Sequence, residues 1–206
     1  MIKRAAVLGS PISHSLSPLI HNYAYSLLEY PAVYEAIEVK SGELSEFLAR
    51  ELASSEVLGF SLTMPLKEEL AQLSTPALQV DARAKAINSA NTIYKGGQSW
   101  KASSTDVDGF EFLLKDLSFS TVSILGAGGT ARAAIASLSD RGVKIEIYRR
   151  STSRDASLSA AAMSSQIEIY DWDKCARACK SDLVINTIPS DQVLTMIKNL
   201  ALQKYF

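Results

Sequence analysis

The residues best suited to chemistry form a glycine-rich turn, Gly126-Ala127-Gly128-Gly129-Thr130-Ala131, directly after the apolar segment 121–125. In such a turn Gly126 permits the tight bend, Gly128 lets the backbone approach a pyrophosphate, and the small Ala131 lets a helix pack closely against the strand. The N–H groups at the start of that helix attract an anion. The pattern predicts a dinucleotide-binding turn, although glycine turns without a ligand are common.

A basic segment begins 23 positions after the start of this turn. Dinucleotide-binding domains that prefer NAD usually present an acidic residue to the ribose hydroxyls at this place. Here the segment contains Arg149, Arg150, Ser151 and Arg154. Planar guanidinium groups bind phosphate through two parallel hydrogen bonds, so these side chains suit the 2′-phosphate of NADP. The sequence therefore predicts NADP as the cofactor, with a solvated basic loop as the alternative.

Strand and helix patterns alternate regularly around the glycine turn. Strands are expected over residues 121–125, 143–148, 167–170 and 182–187, and helices over 129–139, in the Ser/Ala-rich stretch after 151 and in a short stretch before 182, with Gly142 as a C-cap. Such alternation predicts a parallel, doubly wound sheet. Residues 106–206 are therefore interpreted as a Rossmann-like NADP-binding domain.

The first half of the chain has a different pattern. Strands are expected over 4–9, 33–39 and 57–62, and a helix begins at Ser17-Pro18 with Ser17 as N-cap. A helical pattern covers 76–86, and Gly96-Gly97 suits the two-residue turn of a hairpin. Because both crossovers and a hairpin are expected, residues 1–105 are predicted to form an α/β domain with a mixed sheet.

Composition restricts the class of partner. Lysine plus arginine (21) nearly balances aspartate plus glutamate (22), so nothing favours nucleic acid or an acidic membrane surface, and a small-molecule substrate is expected. We find neither an apolar run of membrane-spanning length nor a signal peptide in the sequence, which predicts a cytoplasmic protein. Cys175 and Cys179 are too few ligands for structural zinc, so no metal is predicted.

An ordered set of motifs resembles the shikimate dehydrogenase family. The segment Gly9-Ser10-Pro11-Ile12-Ser13-His14-Ser15-Leu16-Ser17-Pro18-Leu19-Ile20-His21-Asn22 is similar to its N-terminal signature, G-x-P-I-x-H-S-x-S-P-x-x-H-N. Further similar segments follow in family order: Gly59-Phe60-Ser61-Leu62-Thr63-Met64-Pro65-Leu66-Lys67, Ala90-Asn91-Thr92, Thr105-Asp106-Val107-Asp108-Gly109, the glycine turn, and Val184-Ile185-Asn186-Thr187-Ile188-Pro189. The resemblance implies NADPH-linked, reversible reduction of 3-dehydroshikimate to shikimate in a cleft between two domains.

The resemblance also implies roles for individual residues. Lys67 and Asp106 match the catalytic pair, because an ammonium can stabilise and protonate the oxygen of a ketone that accepts hydride. Ser15 and Ser17 match residues that bind the substrate carboxylate, and Thr63 and Asn91 match residues that bind the ring hydroxyls. Thr187 belongs to the expected cofactor site. His14 and His21 are interpreted as hydrogen-bonded structural residues.

Three residues and the length of the chain depart from the family pattern. Ser61 and Ser104 replace asparagines, and Arg149 stands where the family often has asparagine. Family members usually continue beyond the equivalent of Phe206, which leads us to expect a C-terminally shortened chain with weak nucleotide binding and little dehydrogenase activity. The strand over 182–187 would then be an exposed sheet edge.

Two other functions stay open at the level of sequence. One is a quinate/shikimate dehydrogenase that uses NAD, against which the arginines argue. The other is a non-catalytic ligand-binding module, which would not need to keep Lys67 and Asp106. Either a monomer or a homodimer is compatible with the sequence.

Overall fold

A computed structural model describes residues 2–188 and shows two compact units, Met1–Thr105 and Asp106–Phe206. The first unit contains β1 (Lys3–Gly9), α1 (Ser17–Leu27), β2 (Ala32–Glu38), α2 (Leu44–Glu51), β3 (Val57–Leu62), α3 (Leu66–Gln72), β4 (Leu78–Val80), α4 (Ala82–Ala86), β5 (Thr92–Gly96) and β6 (Ser99–Ser103). Helix α5 (Thr105–Leu114) begins at Thr105, the last residue of the first unit.

The first unit is built on a mixed sheet, as the sequence predicts. Within the described residues it has six strands in the order β2-β1-β3-β5-β6-β4, with β5 antiparallel to both of its neighbours. One face carries the main core, in which Leu8, Phe60 and Ile93 pack beneath α2 and α3. In β6 buried Trp100 and Ala102 alternate with less buried residues, whereas β1 is buried on both faces, with Leu8 in this core and Val7 in a second cluster.

The second unit has the predicted doubly wound, parallel sheet. Its elements are β7 (Thr121–Leu125), α6 (Gly129–Ser137), β8 (Lys144–Arg149), a 3₁₀ helix (Thr152–Arg154), α7 (Asp155–Ala162), β9 (Ile167–Asp171), a second 3₁₀ helix (Trp172–Lys180) and β10 (Leu183–Asn186). The strand order is β10-β7-β8-β9, and every pairing is parallel. Among the described strands β10 therefore lies at one edge of the sheet.

Four local predictions are wrong. The pattern over 76–86 is not one helix, because buried Leu78 and Val80 alternate with exposed Gln79 in β4, which pairs with β6. Ser17 is not an N-cap: Leu16 holds that position, and neither side chain caps the helix. The hairpin turn and the C-cap of α6 are also displaced: the turn lies at 97–98, where Gly97 has φ +73°, and Leu138 takes the C-cap position predicted for Gly142.

No helix among residues 2–188 is both long enough and apolar enough to cross a bilayer. Within the same residues there is no cluster of three or more His, Cys, Asp and Glu side chains suited to holding a metal ion.

Candidate functional site

The predicted substrate-binding residues of the first unit follow or precede strand ends at one edge of its sheet. Strands β1, β3 and β6 run in the same direction and end there, while antiparallel β5 begins there. Ser15 and Ser17 follow β1, Thr63 and Lys67 follow β3, and Asn91 precedes β5. We call this side of the sheet, which is formed by strand ends and not by an outer strand, the polar edge of the first sheet.

Backbone hydrogen bonds join the segments at the polar edge. The N–H of Thr63 donates to the carbonyl of Leu8 at 2.9 Å, and the N–H of Leu62 donates to the carbonyl of Asn91 at 2.7 Å. The N–H of Ala90 donates to the carbonyl of Lys67 at 3.0 Å. Residues far apart in sequence are therefore fixed against each other through main-chain contacts.

Asn91 forms side-chain hydrogen bonds with Thr105, the last residue of the first unit. Its Oδ1 accepts hydrogen bonds from the N–H of Thr105 at 2.8 Å and from the Thr105 hydroxyl at 3.1 Å. It thus satisfies an N–H group at the start of the helix, as a capping side chain does. Asp106, the predicted carboxylate of the catalytic pair, is the next residue and lies in the first turn of α5.

Ser15 has a local structural contact that sequence reasoning missed. Its Oγ accepts a hydrogen bond from the N–H of Ser17 at 3.3 Å, just where α1 begins. Both serines are half-buried. The Ser15 hydroxyl thereby compensates for the missing side-chain cap at Leu16, and its own proton stays available to donate to a ligand.

The predicted glycine turn of the second unit joins β7 to α6. Gly126 has φ +115°, a conformation that favours glycine, and a Cβ on it would collide with the Thr187 hydroxyl. Gly128 takes the N-cap position of α6, and Ala131 is fully buried against the sheet. The N–H groups at the start of this nine-residue helix suit a pyrophosphate.

Thr187 holds the glycine turn from the neighbouring strand. Its N–H and its hydroxyl both donate to the carbonyl of Leu125, at 3.0 and 2.7 Å. This accounts for its proximity to the predicted cofactor site, and its hydroxyl proton is used within the protein. Pro189, the last residue of the similar segment, lies outside the described residues.

Of the three arginines at and after the end of β8, one has a buried side chain and two have exposed ones. Arg149 is only 8% exposed. It pairs with Asp155 through Nε and Nη2, at 2.8 and 2.9 Å, and with Asp171 through Nη1. These carboxylates raise the pKa of the Arg149 guanidinium, and Arg149 in turn lowers the pKa of the Asp155 carboxyl group.

Residues 150–154, which we call the arginine loop, are exposed throughout. Ser151 caps the first 3₁₀ helix, because its Oγ accepts the N–H of Ser153 at 3.3 Å. The Nη1 atom of Arg154 lies 3.7 Å from the position that a Cβ on Gly128 would occupy. The loop therefore reaches the glycine turn, and both contain groups that bind phosphate.

Sequence reasoning missed the acidic partners of Arg149 and the role of Asn22. Asp155 stands six positions after Arg149, in the first turn of α7, and this spacing is a signal that was present in the sequence. Asp171 belongs to a different strand, so its pairing with Arg149 depends on the register of β8 and β9. Asn22 belongs to the first motif but faces the backbone of β2.

The chain was compared with protein families and with known proteins. Residues 7–93 match the family model described as shikimate dehydrogenase substrate binding domain. A shikimate dehydrogenase (NADP(+)) of Hyphomonas neptunium is 36% identical over 187 residues, which cover 88% of this chain and 67% of the relative. A shikimate dehydrogenase of Sulfurisphaera tokodaii is 34% identical, covering 91% and 68%. The chain thus spans about two thirds of these curated relatives.

Solved structures of shikimate dehydrogenases are also similar to this chain. The shikimate dehydrogenase of Mycobacterium tuberculosis superimposes with a TM-score of 0.79 and 32% identity, covering 97% of this chain and 75% of that one. A shikimate 5-dehydrogenase of Thermus thermophilus, in complex with NADP(H) and shikimate, has a TM-score of 0.74 and 29% identity, with coverages of 91% and 69%.

Proposed function

Since this chain belongs to the shikimate dehydrogenase family, we propose that it catalyses the NADP-dependent, reversible reduction of 3-dehydroshikimate to shikimate. The observation that carries the proposal is the polar edge of the first sheet. It collects the serines after β1, Thr63 and Lys67 after β3, and Asn91 before β5. Hydroxyl, amide and ammonium groups at one edge suit a small, polyhydroxylated carboxylate.

Lys67 is the proposed proton donor. Reduction of a ketone places negative charge on its oxygen, and an ammonium beside that oxygen stabilises the charge and delivers the proton. Asp106 is the proposed partner, whose carboxylate accepts a hydrogen bond from a substrate hydroxyl and orients it. In the reverse direction the Lys67 amine takes the proton from the alcohol.

The remaining residues of the polar edge are proposed to hold the substrate. Ser15 and Ser17 donate their hydroxyl protons to the carboxylate at the start of α1, where backbone N–H groups also favour an anion. Thr63 and Asn91 form hydrogen bonds with the ring hydroxyls. Because the Asn91 Oδ1 already accepts from Thr105, its amide N–H group is the part that serves the substrate.

The second unit is proposed to hold NADPH, which supplies the hydride when bound. The backbone from Gly126 to Ala131 contacts the pyrophosphate, and the loop contacts the 2′-phosphate through Arg150, Ser151 and Arg154. Arg149 contributes to cofactor binding through the neighbouring residues of the loop and does not itself contact the 2′-phosphate. The compartment and the oligomeric state stay predictions of the sequence: the cytoplasm, and a monomer or homodimer.

The test is oxidation of shikimate by the purified chain with NADP, and with NAD as comparison. We expect a preference for NADP. We expect Lys67→Ala to lower kcat by about 10²- to 10⁴-fold, the usual contribution of a general acid, while the Kd of NADP is unchanged. Exposed Lys95 provides the matched control, because it lies at the hairpin end of β5, away from the polar edge, and Lys95→Ala is expected to leave kcat as it is.

Near-normal kcat in Lys67→Ala would contradict the assigned proton donor. Preference for NAD with turnover of quinate would support the alternative dehydrogenase. Binding of both ligands with no turnover in the unchanged chain would favour the non-catalytic module.

A further inference from the structure

One guanidinium joins the ends of three elements in the second unit. Arg149 is the last residue of β8, Asp155 is the first residue of α7, and Asp171 is the last residue of β9. Two parallel hydrogen bonds connect Arg149 to Asp155, which fixes both the distance and the plane of the pair. The third contact, from Nη1 to Asp171, anchors the same side chain to the neighbouring strand.

This ion-paired triad closes the arginine loop at its base. The two residues of the bidentate pair directly flank residues 150–154, so strand end and helix start are held together while the loop between them is exposed. A loop fixed at both ends keeps fewer conformations, and less ordering is then required when it binds a ligand.

We propose that the triad Asp155–Arg149–Asp171 positions the arginine loop for the 2′-phosphate of NADP, and that Arg149 itself does not bind the phosphate. Arg149 is thus a positioning residue that sets the preference for NADP over NAD. The inference rests on the proposed function, because it assigns the means by which the same site recognises its cofactor.

The charges favour this arrangement over direct contact. To reach a phosphate, the Arg149 guanidinium would have to leave two carboxylates, and both would then repel the incoming anion. With the triad intact, Arg149 compensates one of these negative charges, and the exposed Arg150 and Arg154 bring two positive charges to the loop. Positioning by Arg149 and binding by its neighbours are therefore compatible, whereas binding by Arg149 requires the triad to break.

Asp155→Asn separates the two roles by the sign of its effect. If Arg149 positions the loop, a weakened bidentate pair loosens the loop, and a ligand with a 2′-phosphate binds more weakly. If Arg149 binds the phosphate directly, the same substitution frees its guanidinium and the ligand binds more tightly. The suitable probes are adenosine 2′,5′-bisphosphate and adenosine 5′-monophosphate, which differ only in the 2′-phosphate, measured with the whole chain by titration calorimetry.

We expect Asp155→Asn to raise the Kd of adenosine 2′,5′-bisphosphate about tenfold while changing that of the monophosphate less than about twofold. Arg149→Lys is expected to act in the same direction, because an ammonium keeps the charge but cannot form the two-pronged contact. Asp140→Asn is the matched control, since Asp140 is an exposed carboxylate after α6, and it is expected to leave both Kd values unchanged.

An unchanged or lower Kd of the bisphosphate in Asp155→Asn would overturn the proposal, and so would full retention of binding in Arg149→Lys. Failure of the unchanged chain to prefer the bisphosphate would overturn the NADP site itself and the triad's role with it. If the unchanged chain shows no turnover but still binds the bisphosphate more tightly than the monophosphate, only the catalytic proposal is contradicted, because the binding measurement does not depend on catalysis.

Discussion

Several residues of the first motif have roles in the structure that their position in a functional signature conceals. The side chain of Asn22 bonds both backbone polar groups of Tyr34: its Nδ2 donates to the carbonyl at 2.9 Å, and its Oδ1 accepts the N–H at 2.8 Å. His21 stacks on the Tyr34 ring with centroids 4.1 Å apart. The prediction that His21 is structural agrees with this contact. A signature can therefore combine residues that bind a ligand with residues that hold the binding helix.

Gly126 allows a prediction at the scale of one residue. Gly126→Ala is expected to destabilise the protein by about 2 kcal/mol or more, because a side chain meets both an unfavourable φ and the Thr187 hydroxyl. Displacement of the turn should also raise the Kd of NADP. Urea unfolding and titration calorimetry measure the two effects.

Gly97→Ala is the control for conformation alone. Gly97 also has a positive φ, +73°, but a Cβ there would meet nothing within 4 Å. Its cost is expected to be about 1 kcal/mol, with no effect on NADP binding. Equal losses of stability in both variants would contradict a steric role for Thr187.

At the scale of elements, helix α1 packs on β1 and β2 mainly through partly buried Tyr25 and through polar contacts. None of its residues is buried, and Leu19, Ile20, Tyr23 and Leu27 are largely exposed. Most surface helices are held by an apolar face packed on the core, but here Asn22 and His21 supply directional contacts to β2. Asn22 and His21 form what we call the polar clamp, which together with Tyr25 fixes the start of α1, where Ser15 and Ser17 lie.

Asn22→Ala tests this clamp. Two lost hydrogen bonds should lower the free energy of unfolding by about 1–3 kcal/mol. The KM of shikimate should rise because the serines that we propose to bind its carboxylate lose their fixed position, while the Kd of NADP should not change. Ser26→Ala, an exposed position near the other end of α1, is the control and is expected to stay within about 0.5 kcal/mol. An unchanged KM in Asn22→Ala would show that α1 is held by other contacts.

At the scale of the whole molecule, acid is expected to destabilise the second unit. Asp182, just before β10, accepts the N–H groups of Ser120 and Thr121 and the Thr121 hydroxyl on one oxygen, at 2.9 to 3.0 Å. These bonds lower the pKa of the Asp182 carboxyl group. Arg149 lowers the pKa of Asp155, and Tyr170 and Lys144 lower that of Glu168.

The sign of the pH effect follows from these lowered pKa values. A carboxyl group with a lower pKa in the folded state contributes stability that is complete above its unfolded pKa, about 4, and is lost as the pH falls through the folded value. We expect the free energy of unfolding to fall below about pH 4, and to fall less steeply in Asp182→Asn. Urea unfolding at several pH values, followed by tryptophan fluorescence, to which Trp100 of the first unit and Trp172 of the second both contribute, measures this. Asp116→Asn, at an 86% exposed side chain, is the control that should follow the unchanged protein.

Local sequence predicted the described strands other than β4, the parallel pairing of the second sheet, the mixed sheet of the first and the glycine turn. Each depends on periodicity and on residue preferences that act over a few positions. The family motifs gave the candidate residues Lys67, Asp106, Asn91 and the serines. Local reasoning was wrong at β4, where only pairing with β6 makes three residues a strand.

Only the tertiary structure decided what the charged and polar side chains contact. The sequence pattern suggested that Arg149, Arg150 and Arg154 act alike, but the register of β9 and the start of α7 place two carboxylates on Arg149 and leave the loop beside it exposed. The spacing of Asp155 from Arg149 was a local signal, but the pairing with Asp171 depends on the register of two strands, and their sequence separation carries no information about that distance. The sequence by itself determined which cofactor the second unit suits, and the fold decided which of its arginines is buried in ion pairs and which are exposed.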